Sequence, residues 1–597
     1  MYISRLVIRN FRNFKDLDIA FDSKVTCIIG ENNVGKTNLL HAIRLAIDAN
    51  LSSSYRALTE QDFTVGTDIS QPSQVIVSVE FSDFIDDVNA CALVGCYQVE
   101  EGKACVHYRF SPTDDAKERL EADGNERLTL DDYHWSITGG GQNDPARVEW
   151  SEPLGKSIRF ADLQAFQVVY LKALRDVQQD LRNSRFSPLS RIIEASEVSE
   201  EDKEELVEVL RDANSKIASS EAFSATGKSL SEAFDATIGE TYSMDVKLGM
   251  SDPSFASIAR SISVLLSNDI MQDFDLYRNG LGLNNILYIS MLIEYFEKRI
   301  SHAKTAGQIL LFEEPEAHIH PQLQRILYQT LQGKDFQTII STHSTHICSR
   351  ADVDSYVILT NNDGCHSLSL SKLECISPEI KQDLARYLDA TKSVLLFAKK
   401  VMLVEGPAEL FLIPPLVKQV MGIDLDEHGI SVIPIYGKHF DSYASLFGPE
   451  ALPKKCAVIT DGDLTPSDAT EVLDDDLQEC APETTRYGDL ENEYVKVFSC
   501  TTTFEKALTI PGTLQVLRAS SEELGANQIA THIQVAIDAV DSNSEDMTQR
   551  IEVARNKVLN TSKRFGKARY AQITSKHVGL ATDIPAYIKE AVNWLIQ

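Results

Sequence analysis

The spacing of hydrophobic and polar positions changes several times along the chain, and each change predicts a different element. Three early segments rich in β-branched residues, Ile3–Ile8, Val25–Ile29 and Val75–Phe81, predict strands, and the segment from Gly35 to Ala49 predicts a helix. Acidic and apolar residues recur at helical spacing over 187–222, which predicts amphipathic helices with one solvated face. The chain therefore begins as an α/β unit that carries a helical insertion.

The α/β pattern returns from about residue 255, and a second α/β block begins near residue 398. The strands predicted in these two blocks are Gln308–Phe312, Thr338–Ser341, Lys400–Val404, Ile430–Ile435, Cys456–Thr460 and Val495–Ser499. A length of 597 residues requires several folding units. The predicted domains are an N-terminal segment of residues 1–178, a helical insertion 179–250, a continuation 251–372 and a C-terminal domain 373–597 with helices at about 510–560.

Composition excludes several classes of protein. Charged residues make up 24% and hydrophobic residues 43% of the chain, which is typical of a globular protein and not of a disordered one. No apolar run is long enough for a membrane helix, and charges interrupt the N-terminal stretch that a signal peptide would need. The ten cysteines form no CxxC pair, which argues against a zinc module. We expect a cytoplasmic protein that does not contact membranes.

The net charge of −31 argues against a protein that coats nucleic acid through bulk charge. A local basic track is compatible with that total, because net charge averages over faces that never meet a ligand. Residues 551–597 hold eight Lys and Arg against three Asp and Glu, although ordinary charge fluctuation explains this equally well. If the protein binds DNA, we expect the approach to follow Lys563, Arg564 and Arg569.

A phosphate-binding loop is predicted at GENNVGKT, Gly30–Thr37, which satisfies GxxxxGK[ST] between a predicted strand and a predicted helix. The glycines allow backbone N–H groups to surround phosphates, and the helix N-terminus adds partial positive charge. Lys36 is expected to reach the β- and γ-phosphates, and the Thr37 hydroxyl to hold Mg²⁺. The nucleotide-binding residues predicted here are Gly30, Asn32, Asn33, Gly35, Lys36, Thr37 and Asn38.

Two downstream strands end in polar groups suited to the same site. The strand Ile309–Phe312 runs into Glu313 and Glu314, so that one carboxylate can hold Mg²⁺ and the next can face the attacking water. A later strand ends at His343, in position to contact a γ-phosphate. A lone histidine at a strand end is more often structural, but the other two motifs favour a nucleotide role.

A second cluster of carboxylates is predicted in the C-terminal block. Glu405 lies at a strand tip, and Glu409 follows four residues later in the first turn of a helix. The next predicted strand ends in Asp461 and Asp463. Converging oxygen ligands of this kind suit Mg²⁺ or Mn²⁺. The alternative is that these carboxylates never meet, because acidic residues at strand ends also cap helices.

Two later residues extend this second site. Glu505 follows the predicted strand Val495–Ser499 and can add a carboxylate. Lys567 follows Gly566 at a predicted helix start, where a lysine can stabilise a phosphorane-like transition state or a leaving group. The alternative for Lys567 is an ordinary surface lysine.

The motifs GENNVGKT, LLFEEPEAHIHP and STHS resemble the ATPase heads of the ABC superfamily, in the branch of the SMC and RecF-like proteins. The opening ISRLVIRNFRNFKDLDIAF is also similar to the start of that branch. The resemblance implies that ATP is sandwiched in a dimer and that a signature segment of the second subunit completes each site. The matching segment Asn279–Gly282 departs from LSGGQ, which argues against efficient hydrolysis at a composite site. The absence of sustained heptads argues against long-range DNA tethering.

The pair VEGPAE and DGD resembles a Toprim domain, the metal-binding fold of topoisomerases, DnaG-type primases and several nucleases. An ABC-type head followed directly by a Toprim domain resembles one family, the OLD (overcoming lysogenisation defect) nucleases. The fold that this implies is α/β: an ABC-type ATPase head with an inserted helical dimerisation subdomain, followed by a C-terminal Toprim α/β domain.

The same resemblance implies metal-dependent DNA cleavage that ATP regulates, in defence against bacteriophage. The residues that would bind two divalent ions are Glu405, Glu409, Asp461, Asp463 and Glu505. Lys567 and Glu314 are further catalytic candidates. The implied cofactors are ATP and Mg²⁺ or Mn²⁺. The implied partners are DNA, further copies of the chain in a homodimer or homotetramer, and a helicase-like or retron reverse-transcriptase protein.

The alternative function is that of a RecF-like DNA-binding ATPase in repair, with the Toprim domain as a non-catalytic scaffold. Replacement of the carboxylates would favour this alternative, and Glu405, Glu409, Asp461 and Asp463 are all present. A primase or topoisomerase fits less well. The chain has no cysteine pair for the primase zinc module, and the Toprim domain leaves no room for a strand-passage body.

Overall fold

The fold was analysed in a computed structural model of the full chain. The residues that the structure describes are 1–22, 24–122, 127–164, 166–173, 188–196, 198–238, 244, 246, 248, 253–267, 272–275, 279–301, 307–361, 364–373, 376–437, 439–462 and 487–597. The α/β class expected from the sequence is confirmed: mainly parallel sheets lie in both the N-terminal and the C-terminal half of the chain.

Every strand predicted from a β-branched or apolar run is present, and further strands lie between them. Their bounds are β1 Tyr2–Phe11, β2 Phe14–Ala20, β3 Val25–Gly30, β4 Val75–Ser82, β5 Gln98–Glu100, β6 Lys103–Pro112, β7 Tyr133–Gly139, β8 Lys156–Ser157, β9 Phe166–Leu171, β10 Leu265–Leu266, β11 Phe274–Asp275, β12 Gly307–Glu313, β13 Gln337–Ser341, β14 Tyr356–Asn361, β15 Cys365–Ser369, β16 Lys400–Val404, β17 Ile430–Pro434, β18 Cys456–Thr460 and β19 Val495–Ser499.

The helices follow the segments with helical spacing. Their bounds are α1 Lys36–Ile47, α2 Ser53–Arg56, α3 Val88–Val94, α4 Asp114–Ala122, α5 Phe160–Leu163, α6 Pro188–Ala195, α7 Glu200–Ala218, α8 Glu221–Ile238, α9 Phe255–Ser261, α10 Leu281–Ser301, α11 Pro321–Gln332, α12 Thr345–Cys348, α13 Pro378–Tyr387, α14 Pro407–Met421, α15 Phe440–Ala444, α16 Phe504–Ala507, α17 Leu514–Glu523, α18 Asn527–Asp541, α19 Met547–Phe565, α20 Lys567–Lys576 and α21 Ala586–Ile596. A 3₁₀ helix at Lys392–Leu396 leads into β16.

Two sheets build the N-terminal half. In the antiparallel sheet the strands lie in the order β2, β1, β4, β6, β7, β8, with β5 along β6. In the second sheet the order is β15, β14, β3, β13, β12, β9, and every neighbouring pair is parallel except β14 with β15. The carboxyl ends of β3, β13 and β12 therefore meet at one edge, although they are far apart in sequence.

The C-terminal half contains a parallel sheet in the order β17, β16, β18, β19. Helix α14 follows β16 and packs against α20, while α21 packs against β18 and β19. Parallel strands end at the same edge of a sheet, so the residues that follow β16, β18 and β19 are brought together.

One continuous apolar core joins the two halves. Successive residues of β3 point to opposite faces, so Ile28 lies in the core beneath the antiparallel sheet and Ile29 in the core on the other side. That second core also contains Leu403 of β16 and Val458 of β18. The C-terminal domain is thus packed directly onto the N-terminal half.

The predicted helical insertion contains the long helices α7 and α8. No residue of α7 is buried, as its acidic composition predicts. The apolar residues exposed on this pair of helices are Leu206, Val209, Phe223, Leu230 and Phe234. No helix among the described residues is both long and apolar enough to cross a membrane.

Candidate nucleotide site and metal centre

The glycines of the loop between β3 and α1 lie where a side chain cannot fit. Gly35 has a φ of 107°, and a Cβ there would lie 2.3 Å from the side-chain nitrogen of Asn13. A Cβ on Gly30 would lie 2.5 Å from the carbonyl oxygen of Leu359. The loop can therefore close tightly only with glycine at both positions. A loop of this shape at a helix N-terminus presents backbone N–H groups to phosphate.

Lys36 is buried at the base of this loop. Its Nζ donates hydrogen bonds to the carbonyl oxygens of Gly30 at 2.9 Å and Glu31 at 2.8 Å. Burial lowers the pKa of Lys36 to about 8, although the carboxylates of Glu314 and Glu316 oppose this shift. A phosphate in place of the two carbonyl oxygens would stabilise the charged ammonium.

Thr37 and Glu313 face each other at the sheet edge. The Thr37 hydroxyl donates a hydrogen bond to one carboxylate oxygen of Glu313, and the Tyr170 hydroxyl donates to the other at 2.7 Å. A hydroxyl and a carboxylate held together in this way are suitable ligands for Mg²⁺. The strand order therefore brings the two predicted Mg²⁺ ligands of the nucleotide site into contact.

Glu314 and His343 lie beside each other at the same edge. Glu314 adopts a φ of 43°, and its N–H donates a hydrogen bond to the Ser341 carbonyl oxygen at 2.8 Å. One of its carboxylate oxygens lies 3.8 Å from Nε2 of His343. Burial lowers the pKa of His343, and the charge of Lys36 adds to this effect, so the ring is neutral at pH 7.

Glu316 connects the two loops, and the sequence interpretation did not assign it a role. Its carboxylate accepts hydrogen bonds from the Thr342 hydroxyl at 2.9 Å and from the His343 N–H at 2.6 Å. Burial raises the pKa of Glu316 despite these hydrogen bonds. The residue fixes the position of His343 relative to Glu314. The available signal was a third acidic residue in the motif EEPE.

Asn38 points to the turn between β1 and β2. It donates a hydrogen bond to Asn13 at 2.7 Å and accepts one from Arg12 at 2.8 Å. Asn13 also donates to the Val34 carbonyl oxygen at 2.7 Å. Arg12 and Asn13 thus support the phosphate loop, and the signal that could have found them is the polar turn in NFRNF.

The remaining loop residues leave room for a nucleotide. Asn32 and Asn33 are exposed, and Asn33 has a left-handed φ of 63°. Three features together fit ATP with Mg²⁺: the glycine-lined loop, the buried Lys36 ammonium and the contact between Thr37 and the Glu313 carboxylate.

The candidate signature segment Asn279–Gly282 runs into the first turn of α10 and contacts the loop that follows β12. A Cβ on Gly282 would lie 2.4 Å from the His318 carbonyl oxygen. Leu281 and Leu283 are both about half exposed. The segment therefore combines a close backbone contact with an open apolar surface.

The second site lies at the carboxyl edge of the C-terminal sheet. Glu405 follows β16, Asp461 follows β18, and Glu505 lies in α16, which follows β19. Glu409 enters from the first turn of α14. The parallel arrangement therefore brings four of the predicted carboxylates to one edge, as expected for a shared site. Asp463, the fifth predicted ligand, lies outside the described residues.

Hydrogen bonds hold the carboxylates in place. One oxygen of Glu405 accepts from the Thr460 hydroxyl at 2.8 Å and from the Asp461 N–H at 2.7 Å. Glu409 accepts from the Gly406 N–H at 3.1 Å and so caps α14. Strand ends and a helix N-terminus thus position the two glutamates.

Burial and the repulsion between neighbouring carboxylates both raise pKa values in this cluster. Burial raises the pKa of Glu409 to about 7, and the charges of Glu405 and Glu505 contribute. Burial raises the pKa of Asp461 strongly, and Glu405 and Glu409 add to the shift. Carboxylates kept this close in a poorly hydrated place need a positive charge to ionise together.

Lys567 supplies one such charge. Its Nζ lies 3.1 Å from a carboxylate oxygen of Glu505, which is only 3% exposed. Burial disfavours the charged form of Lys567, but Glu505, Asp461 and Glu409 outweigh it and raise the pKa of this lysine. Gly566, with a φ of 89°, starts α20 and directs Lys567 to the cluster. Lys567 therefore lies in the site and not on an unrelated surface.

The donor set fits a divalent cation. Apart from the ion pair with Lys567, the buried Glu505 carboxylate has no hydrogen-bond partner among the described residues. All candidate ligands are carboxylates, which Mg²⁺ and Mn²⁺ prefer. Within the described portion of the chain, no three of these side chains already converge on one ion position. Glu405, Glu409, Asp461 and Glu505 would hold the metal after Glu405 and Glu409 turn from their present hydrogen-bond donors.

Comparison with protein families agrees with both sites. A family model described as AAA ATPase domain matches residues 1–137 and 157–348, more than half of the chain. The chain belongs to the AAA ATPase domain family. A second model, described as overcoming lysogenization defect protein-like, TOPRIM domain, matches residues 396–463. The OLD resemblance seen in the sequence is confirmed, with an ATPase domain that contains the nucleotide site and a TOPRIM domain that contains Glu405, Glu409 and Asp461.

Three relatives resemble this ATPase–TOPRIM chain over most of its length. Endonuclease GajA of Bacillus cereus (strain VD045) is 24% identical over 458 residues, which cover 74% of this chain and 72% of that protein. Old nuclease of Escherichia phage P2 is 22% identical over 464 residues and 73% of each chain. OLD nuclease of Thermus scotoductus is 25% identical over 460 residues, 73% of this chain and 77% of that protein.

Proposed function

We propose that the protein is an ATP-binding, divalent-metal-dependent DNA endonuclease whose TOPRIM domain cleaves DNA under the control of its ATPase domain. The observation that carries this proposal is that Glu405, Glu409, Asp461 and Glu505 lie at one sheet edge together with Lys567. The names of the relatives, two OLD nucleases and an endonuclease, support the same reaction class.

The side chains of the TOPRIM domain divide the task of phosphodiester hydrolysis. Bound Mg²⁺ or Mn²⁺ would supply the charge that promotes attack of water on phosphorus and departure of the ester oxygen. The carboxylates of Glu405, Asp461 and Glu505 hold that charge in place. The Lys567 ammonium lies among them and stabilises negative charge on the phosphoryl oxygens as the P–O bond breaks.

The nucleotide site supports control by ATP. Lys36 and the loop glycines bind phosphates, and Thr37 with Glu313 binds Mg²⁺. Glu314 and the neutral His343 lie together where hydrolysis of a γ-phosphate would be assisted. We include ATP hydrolysis as a step of the control cycle, with Glu314 as the residue that orients water.

Association of subunits and a role in antiphage defence complete the proposal. The exposed apolar residues of α7 and α8 would supply the contact surface of a homodimer or homotetramer, because apolar patches on a protein surface mark interaction sites. The exposed Leu281 of the signature segment and the neighbouring Leu283 offer a second contact beside the loop that follows β12. The OLD resemblance supports the defence role.

The deciding experiment is cleavage of supercoiled plasmid by the purified protein in Mg²⁺ or Mn²⁺, with and without ATP. We expect Asp461→Ala to abolish nicking, and Asp424→Ala, an exposed carboxylate change in the same domain, to leave it intact. Lys36→Ala is expected to abolish the effect of ATP. EDTA is expected to stop all cleavage.

Cleavage that survives both Asp461→Ala and EDTA would contradict the proposal. Absence of cleavage by the wild type under every metal and nucleotide, together with DNA-stimulated ATP hydrolysis, would favour the RecF-like DNA-binding ATPase instead.

A further inference from the structure

An exposed tyrosine lies beside the carboxylate cluster without a packing role. Tyr436 follows β17, the strand next to β16, and its side chain is largely in solvent, 60% exposed. The N–H of Ile435 donates to the Val404 carbonyl oxygen at 2.9 Å, and that of Gly437 donates to the Glu405 carbonyl oxygen at 3.3 Å. The backbone of Tyr436 is therefore fixed directly beside the backbone of Glu405.

The conformation of Tyr436 is unusual for an aromatic residue. Its φ is 56°, in the left-handed region that bulky side chains rarely adopt. The hydrogen bonds on both sides hold it there, and no burial of the ring offsets the strain. Strain retained at an exposed position beside a reactive site indicates a functional constraint.

A fixed lysine ammonium lies close to the ring, and the backbone of a further aromatic residue holds that ammonium. The Nζ of Lys392 lies 5.5 Å from the centre of the Tyr436 ring. This lysine is 8% exposed, and Asp389 and the Tyr387 carbonyl oxygen hold its ammonium in place. The ring of Tyr387 stacks on that of His439 at 5.9 Å. Aromatic faces beside fixed positive charge form the usual binding surface for unpaired bases and their phosphates.

We infer that Tyr436 is a substrate-positioning residue that stacks on an unpaired DNA base next to the scissile phosphate. This inference rests on the proposed nuclease function. In the sheet order, Tyr436 lies on the β17 side of Glu405, whereas Lys567 lies on the opposite side with Glu505. A strand that crosses the carboxylates therefore meets an aromatic face at one end and positive charge at the other. The preferred substrate is single-stranded or locally opened DNA.

The test measures binding without cleavage. A fluorescein-labelled single strand with 2-aminopurine near its centre, and a duplex of the same sequence, are titrated with the full chain in Ca²⁺. We expect Tyr436→Ala to weaken single-strand binding roughly 5- to 100-fold and to remove quenching of 2-aminopurine. Tyr436→Phe and Tyr436→Trp should bind like the wild type. Tyr55→Ala, which changes an exposed tyrosine of the ATPase domain, is the matched control.

The outcomes are distinct. Single-strand binding by Tyr436→Ala within twofold of wild type, or tighter wild-type binding to the duplex than to the single strand, would overturn the inference while cleavage activity still supported the nuclease. A folded wild type that binds neither DNA and cleaves no plasmid would overturn both the inference and the proposed function.

A second and independent set of contacts links the nucleotide loop to the strand that positions Glu405. The Nζ of Lys399, one residue before β16, lies 3.7 Å from a carboxylate oxygen of Glu31 in the phosphate loop. The ring of Phe397 lies 6.4 Å from that of His343. The buried Lys454 of the TOPRIM domain donates to the carbonyl oxygens of Leu396 and Ala398, at 3.4 and 2.9 Å.

We propose that residues 396–399 transmit the state of the nucleotide loop to the metal-binding edge of the TOPRIM domain. The carbonyl oxygen of Glu31 accepts from Lys36, so a phosphate that draws Lys36 away releases the same residue whose side chain pairs with Lys399. Strand β16 then runs straight from Lys400 to Val404 and ends at Glu405. A shift at Lys399 is thus carried along one buried strand.

The test uses hydrogen exchange of the full chain with and without a non-hydrolysable ATP analogue. In the wild type, we expect the analogue to change exchange of the amides of residues 400–409. Lys399→Glu should bind the analogue and lose this change, whereas Lys418→Glu, which breaks the exposed pair with Asp424, should retain it. No response in the wild type, or an unchanged response in Lys399→Glu, would overturn the proposal whether or not the protein cleaves DNA.

Discussion

At the scale of single residues, the TOPRIM cluster is defined by carboxylates that cost stability where they lie. Glu409 and Glu505 are 6% and 3% exposed, so neither has the hydration that stabilises an ionised carboxylate. Lys567 offsets some of this cost through its ion pair with Glu505. One ammonium cannot balance four carboxylates, and the remaining charge is what a divalent ion would neutralise.

A pH dependence of stability follows from Glu409. Its pKa is raised from 4.5 to about 7 in the folded, metal-free protein. Between these two pKa values the folded state holds a proton that the unfolded chain releases. The contribution of this proton to the free energy of unfolding, on the order of 3 kcal/mol, is fully present below pH 4.5 and is lost as the pH rises through 7. We expect Tm in EDTA to fall across this window, and less so in Glu409→Gln.

Metal binding should reverse that trend. Protons on Glu409 and Asp461 compete with a cation, so Mn²⁺ is expected to raise Tm more at about pH 7.5 than at about pH 5.5. Thermal unfolding by differential scanning fluorimetry measures both slopes. Equal stabilisation by Mn²⁺ at the two pH values would contradict a metal site built on these carboxylates.

Gly462 allows the residues that follow β18 to pack closely against the residues that follow β19. A Cβ there would lie 2.3 Å from the Cys500 carbonyl oxygen, a backbone atom that cannot move without displacing the strand end. We expect Gly462→Ala to destabilise the fold by about 2–4 kcal/mol and to weaken stabilisation by Mn²⁺, because Asp461 is its neighbour. Gly488→Ala, at a position with open space, should change neither quantity in the same unfolding assay.

At the scale of elements, the molecule places its reactive groups where strands end and helices begin. The loop before α1 holds the phosphate site, and Glu409 caps α14 while also belonging to the metal cluster. The dual use of Glu409 means that a cation must compete with the Gly406 N–H for the carboxylate. The 3₁₀ helix Lys392–Leu396 similarly serves two sites, since Lys392 contacts Tyr436 and the residues that follow reach the nucleotide loop.

Helices α7 and α8 together leave five large apolar side chains exposed. If they mediate self-association, Phe223→Glu with Phe234→Glu should convert the oligomer to a monomer without loss of helix content. Light scattering coupled to size exclusion measures the mass, and circular dichroism checks the helices. Tyr55→Glu is a control for an aromatic residue exposed elsewhere. An unchanged mass for the double variant would exclude this surface as the interface.

At the scale of the whole molecule, charge limits how DNA can be bound. A net charge of −31 repels a polyanion from most of the surface, so contact must follow a narrow track. Lys563, Arg564 and Arg569 are exposed near Lys567 at the junction of α19 and α20. They lie within four residues of Lys567 along the chain, and the DNA track expected from the sequence stays a prediction.

Neutralising this track should weaken binding in a salt-dependent way. The triple variant Lys563→Gln, Arg564→Gln and Arg569→Gln is expected to raise the Kd for DNA at least tenfold at low salt. The slope of log Kd against log salt concentration should decrease by an amount that corresponds to the loss of up to three phosphate contacts. Anisotropy titrations between about 50 and 200 mM salt measure both effects. Replacing the exposed Lys24, Lys172 and Lys372 of the ATPase domain is the control. Unchanged affinity of the first variant at low salt would move the DNA path elsewhere.

Local patterns predicted the strand ends correctly because each depends on a few consecutive residues. The glycine loop, the carboxylates after β12, β16 and β18, and the helix that starts at Lys567 all lie where the sequence places them. Such local patterns could not predict contacts between segments that are far apart in the sequence. Asn38 was assigned to the nucleotide, which stays a prediction, and its hydrogen bonds to Asn13 and Arg12 were not foreseen. Glu316 was overlooked although it anchors His343.

The sequence by itself determined which chemical groups the protein carries and at which strand ends, since backbone periodicity and turn residues act locally. The tertiary structure decided which of them meet. Strand order placed Glu505 and Lys567 beside Asp461, and one shared core set the TOPRIM domain against the phosphate loop, so that Lys399 reaches Glu31. Side-chain direction and the packing of segments hundreds of residues apart decide such contacts, and no local pattern records them.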